Sequence, residues 1–170
     1  IALAVPPGSD GLKVWAAVSG KGLFATGDGG ASWTLLNQDG SLANSYMANH
    51  NADPRDSARL WVMGRGLRRS DDGGKSFTIA KGAPGGDDYH ILWIDPADSR
   101  RMITGADQGA VVTLNGGASW SRVDTRLPAT IVSAARQDHG EIVLADQGGR
   151  IAISHDGALT FDLVPRRRTL

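Results

Sequence analysis

Apolar residues in this chain come in short bursts. Runs at 1–5, 14–18 and 22–24 are followed by runs at 46–48, 60–63 and 66–68. The series continues at 91–94, 102–103 and 109–111, then at 131–134, 142–144 and 149–151. The bursts are continuous rather than cleanly alternating, as expected of strands covered on both sheet faces. No window of about 12 residues carries a convincing helical period. Glycine, proline, aspartate and asparagine separate the bursts, so the pattern predicts strands joined by turns.

An octet punctuates the series: TGDGGASW at 26–33, SDDGGKSF at 70–77, TLNGGASW at 113–120 and SHDGALTF at 154–161. Its aromatic positions, Trp33, Phe77, Trp120 and Phe161, are spaced by 44, 43 and 41 residues. Three bursts precede each octet and a fourth strand opens at its aromatic, giving units of four strands, A to D. Four-stranded units of about 40–45 residues are the mark of propeller blades. The expected fold is therefore all-β, a β-propeller built of four-stranded antiparallel blades, with four blades at 1–36, 45–80, 88–123 and 130–164. An open arc would expose the sheet faces of its end blades. We therefore expect missing blades to complete a larger ring, or two copies to close one as a homodimer. The chain begins with Ile1, which reads as a processed product or a piece of something longer.

Each octet sits on a C–D hairpin. Its glycines supply the positive φ that a tight turn needs. Asp28, Asp72, Asn115 and Asp156 are placed to accept backbone N–H groups within their own turns, with the flanking hydroxyls joining the network. The aromatic is expected to fasten the hairpin to its blade. The A–B links repeat as well, as DPRDS at 53–57 and DPADS at 95–99, where proline ends strand pairing.

This pattern resembles the Asp-box, or bacterial neuraminidase repeat, of sialidases, xyloglucan-cleaving glycosidases, sortilin-type receptors and photosystem II assembly factors. The resemblance covers all four blades. Octet three departs from it with Asn115, and octet four with Ala158 in place of the second glycine. It implies a propeller in a periplasmic or extracellular setting. Its bearers include both enzymes and binders, so it specifies fold more than function.

Composition narrows the choice. Eighteen basic residues balance eighteen acidic ones, which argues against a nucleic-acid binder. The absence of cysteine removes disulfides, thiolate metal sites and cysteine nucleophiles. No apolar run is long enough to insert as a membrane helix. Glycine, at 23 of 170 residues, is about twice its usual share of roughly 7%. Two motifs mislead. GGKS at 73–76 lacks the first glycine of a phosphate loop, having Arg69 there, and GKGLFA at 20–25 opens no helix. Arg166, Arg167 and Arg168 read as a solvated tail. His139 and His155 fall in turns, and His50 and His90 lie on different blades. No metal or cofactor is expected.

A ligand site in a propeller is expected over the channel, where D–A and B–C loops converge. Those loops carry Asn44, Ser45, Asp87, Asp88, Tyr89, His90 and Arg126, with Lys21, Arg65, Asp107, Gln108, Asp146 and Gln147. Tyr89 is the expected stacking platform for a sugar, and His90, Arg65 and Arg126 the polar contacts. Trp15, Trp61 and Trp93 read as inter-blade packing. Two functions fit. One is a non-enzymatic binding or assembly module for a glycan or protein ligand. The other is a glycoside hydrolase pairing Asp88 with Asp107 or Asp146, since such enzymes act through two carboxylates.

Overall fold

The computed structural model describes residues 1–43, 49–82 and 88–165. The expected strand at 46–48, the loop candidates Asn44, Ser45 and Asp87, and the arginine tail lie outside the described residues.

Four antiparallel four-stranded sheets follow one another along the chain, and in each the strands pair in sequence order. Blade one holds β1 (Ala2–Ala4), β2 (Val14–Val18), β3 (Gly22–Thr26) and β4 (Thr34–Asn37). Blade two holds β5 (His50–Asp53), β6 (Asp56–Val62), β7 (Leu67–Ser70) and β8 (Thr78–Lys81). Blade three holds β9 (Tyr89–Ile94), β10 (Met102–Ala106), β11 (Gly109–Thr113) and β12 (Ser121–Val123). Blade four holds β13 (Ile131–Arg136), β14 (Ile142–Asp146), β15 (Ile151–Ser154) and β16 (Asp162–Leu163). First strands of neighbouring blades touch, β1 with β5 and β9 with β13, so they form the inner wall. This is the fold of the β-propeller, with the sheets standing as blades. The inner strand of blade two is His50–Asp53, beyond the apolar run at 46–48 that the sequence pattern singles out.

The core is three layers between blades. Trp15, Leu23, Leu60 and Val62 fill the first, with Leu42 inserted from the link after blade one. Trp61, Met63, Leu67, Tyr89, Leu92 and Met102 fill the second. Ile103, Val112, Ile142, Leu144 and Phe161 fill the third. Each strand thus sends alternate side chains to opposite neighbours, which is why its apolar run is continuous. The outer faces of the end blades are uncovered: Leu3 is 60% exposed on blade one and Ile151 is 42% exposed on blade four.

Polar ties cross the same layers. Arg136 of blade four donates to both oxygens of Asp95, at 2.9 and 2.7 Å, and the Asp95 side chain is fully buried. Arg101 stands 3.7 Å from the same carboxylate. Asp53, the corresponding buried aspartate of blade two, meets Arg59 at 3.3 Å. Arg55 reaches across to the Ala97 carbonyl.

Candidate ligand-binding rim

The octets close as hydrogen-bonded clasps on the C–D hairpins. In the first, the Thr26 hydroxyl donates to Asp28 Oδ1 and accepts the N–H groups of Asp28 and Gly30. Asp28 in turn accepts the Ser32 N–H at 2.9 Å and the Ser32 hydroxyl at 2.6 Å. Ser70, Asp72 and Ser76 repeat this arrangement, as do Ser154, Asp156 and Thr160. Hydroxyl donation holds Asp28 and Asp72 well below the usual carboxylate range, led by Ser32 and Ser76 respectively. Thr160 does the same for Asp156, at about 2. In octet three the polarity reverses at one bond, since Asn115 Nδ2 donates to Ser119 Oγ at 2.8 Å. These groups are consumed by their own turns.

The opposite rim carries the D–A links and B–C turns. The structure brings two of the sequence candidates together there. His90, on inner strand β9, places Nε2 2.6 Å from Oδ1 of Asp107 on the β10–β11 turn. Beside Asp107 opens a cleft of about 720 Å³ between that turn and the link to blade four. Gln108, Arg122, Asp124, Thr125 and Thr130 are among its walls. Arg122 is anchored by donating to the Gln108 carbonyl. The link is shaped by short-range caps, the Arg126 N–H to Asp124 Oδ1 at 2.9 Å and the Leu127 N–H to Thr125 Oγ1 at 3.4 Å. Arg122, Asp124 and Thr125 escape a sequence reading because no motif marks them; only their place on the D–A side could have pointed to them.

The remaining candidates do not converge on this cleft. Tyr89 is not a platform: its side chain is fully buried between blades two and three, and its N–H bonds to the Gly64 carbonyl. The first residue of an inner strand here faces the neighbouring blade, which turns an expected ligand contact into packing. Asp146 is likewise buried at the end of β14, and its Oδ1 accepts the Arg150 N–H at 2.8 Å, closing its own turn. Its Oδ2 is buried without a partner among the described residues. Asp88 is half-buried and adopts a left-handed φ of 52° just before β9. Arg126 turns outward to Asp162 on the outermost strand of blade four, at 3.4 Å. Arg65 is exposed on the turn of blade two. His50 faces blade one from β5, and both its ring nitrogens are buried without a partner among the described residues. Burial, with a smaller contribution from the α-ammonium of Ile1, pushes it down to about 4. Among the described residues, no group of three or more His, Asp or Glu side chains is arranged to hold a metal ion.

No protein-family model matches the chain, and no curated protein resembles it in sequence. Solved structures do resemble it in fold. An ancestral GH74 enzyme superposes over 96% of this chain and 24% of its own, with a TM-score of 0.75 and 18% identity. YCF48 from Cyanidioschyzon merolae matches over 99% of this chain and 57% of its own, with a TM-score of 0.63 and 20% identity. The GH74 xyloglucanase from Xanthomonas campestris matches over 99% and 31%, with a TM-score of 0.67 and 17% identity. The chain thus spans about a quarter of the first of these proteins and little more than half of the second. No helix among the described residues is long and apolar enough to cross a membrane.

Proposed function

We propose that the chain is a binding module that holds a peptide segment of a protein partner in the cleft between the β10–β11 turn and the link that follows blade three. The composition of that cleft carries the reading. Among the described residues its walls offer Asp107, Gln108, Arg122, Asp124 and Thr125 and no aromatic ring. Such a surface matches the alternating donors and acceptors of an extended backbone, and lacks the ring on which a sugar face stacks. The fold is suited to the task, for YCF48 has been solved bound to the D1 peptide. We assign the four octets to the Asp-box type on the hydrogen bonds they share. An extracellular or periplasmic setting fits as well, because another protein of this fold is the extracellular domain of a hybrid two-component system from B. thetaiotaomicron.

Glycoside hydrolysis is the second reading, and the GH74 neighbours support it. It requires Asp107 to act with a second carboxylate, and Asp146 is occupied by its turn.

A phage-displayed peptide library selected on the chain separates the two. Enriched peptides should bind in calorimetry, with affinity falling at least tenfold in both Arg122→Ala and Asp107→Ala. A xyloglucan heptasaccharide bound or cleaved in an Asp107-dependent way, with no peptide enriched, would reverse the order.

A further inference from the structure

The three blade interfaces obey a size rule at one position of the clasp. Trp15, Trp61 and Ile103 hold equivalent places on the second strands, each paired with the residue just before its own blade's octet. Each points into the clasp of the following blade. A Cβ at Gly74 would lie 3.7 Å from Trp15 Nε1 and 2.5 Å from Leu23 Cδ2. One at Gly117 would lie 3.1 Å from the Trp61 ring. In the third interface the smaller Ile103 shares a cluster with Ala158, the one clasp without the second glycine. Large residue meets glycine, and smaller residue meets alanine. The carbonyl before that position also takes a donor from the preceding blade: Trp15 Nε1 to Gly73 at 2.9 Å, and Arg69 Nη1 to Gly116 at 3.1 Å.

Blade one displays the receiving half of this joint with no residue of another blade in it among the described residues. A Cβ at Gly30 would meet only Trp33, at 3.8 Å. Among the described residues no donor reaches the Gly29 carbonyl. Trp33, whose counterparts Phe77, Trp120 and Phe161 pack into the blade interfaces, is instead 45% exposed. With Leu3, Ala16, Val18 and Phe24 it walls an apolar depression of about 430 Å³. The uncovered face of blade four offers Val143 at the position of Trp15 and Trp61, paired with Ile153. By the size rule a valine leaves the Gly30 notch unfilled.

We propose that the open face of blade one is a docking surface for a propeller-type sheet that carries a tryptophan on its second strand, with the indole ring over Gly30 and its N–H on the Gly29 carbonyl. The blade-four face of a second copy, ending in Val143, is the wrong occupant. The surface is distinct from the cleft on the loop rim and does not depend on its function.

The chain can be given the missing residue. Val143→Trp places an indole on the uncovered face of blade four, and sedimentation equilibrium should show self-association at least tenfold tighter than in the native chain. Gly30→Ala in the same protein should return it to native behaviour. Alanine is compatible with the clasp, because Ala158 occupies the same position at a φ of 76°. Far-UV circular dichroism confirms folding of each variant. A second measurement needs no substitution: N-acetyltryptophanamide added to the native chain should shift the amide resonances of Gly29 and Gly30 and spare Gly73 and Gly74, whose notch Trp15 fills. The proposal is overturned if Val143→Trp gains no association, if the gain survives Gly30→Ala, or if the ligand moves both glycine pairs alike. Native self-association abolished by Gly30→Ala would also overturn it, in favour of a second copy as occupant.

Discussion

In octets one and two the hydroxyl that opens the turn does two things with one atom: it donates to a carboxylate and accepts two backbone N–H groups. The arrangement is satisfied only with an acceptor two residues on. Asp72→Ala should therefore lower stability by about 1–2 kcal/mol, a lost charge-assisted bond discounted for exposure. Asp72→Asn should cost less than half as much in urea denaturation, because Asn115 already performs the role in octet three. Protonation separates the contributions of single residues. The folded-state pKa of His50 is lowered from 6.5 to about 4, so the unfolded chain binds the proton more readily between those values. Stability is therefore full above about pH 6.5 and falls as the pH drops toward 4, by about 3 kcal/mol in all. His50→Phe should flatten urea-derived stability across this window. The clasp aspartates also have lowered values, and their contribution, present above about pH 4, is lost below it. A profile of the His50→Phe variant that still declines between pH 6.5 and 4 would assign that loss to another group.

At the scale of the element, the A–B links are more than turns. Asp95 begins as the aspartate of a predictable Asp-Pro turn and ends as the buried partner of Arg136, forty-one residues away. The Asp95 side chain is fully buried while Arg136 stays partly exposed, so Asp95→Ala removes charge-assisted bonds without stranding a buried cation and should cost about 2–3 kcal/mol in chemical denaturation. Arg136→Met, which takes away the cation, leaves the Ala97 N–H and Arg101 on Asp95 and should cost less. The strands and clasps were legible because apolar bursts and glycine turns are local signals. Blade two's inner strand was not, since His50, Asn51 and Asp53 look like loop. Two of these polar residues are satisfied there: Asn51 donates to the Leu92 carbonyl of blade three and Asp53 accepts from Arg59 of its own blade. A strand whose polar groups are satisfied by partners distant along the chain or on the adjacent strand carries no hydrophobic signature of its own.

At the scale of the whole molecule, the blades cohere through the faces they share, and the clasps of blades two, three and four are each packed against the blade before. Gly117→Ala should thus weaken the joint between blades two and three, where its Cβ meets Trp61, whereas Gly30→Ala should leave stability nearly unchanged beyond backbone strain. Thermal unfolding of the two variants side by side tests this, and equal losses would dissociate the clasp glycines from blade packing. The candidate site is also a property of the assembly. The sequence placed His90 and Asp107 on one rim, and the fold brings them to 2.6 Å. Placing Tyr89 on that rim did not reveal that its ring turns into the interface.

What the amino-acid order decided alone is whatever is satisfied within a span of some ten residues: the hairpins, the positive-φ turns and the carboxylate clasps, whose donors and acceptors are near neighbours in the chain. What only the folded molecule decided is where each side chain ends up once sheets some forty residues apart lie face to face. That juxtaposition buried Tyr89, joined Arg136 to Asp95 and left the Gly30 notch without a ring from a preceding blade among the described residues. Burial and pairing across blades depend on the approach of distant surfaces, and no local pattern of hydrophobic and polar residues encodes that approach.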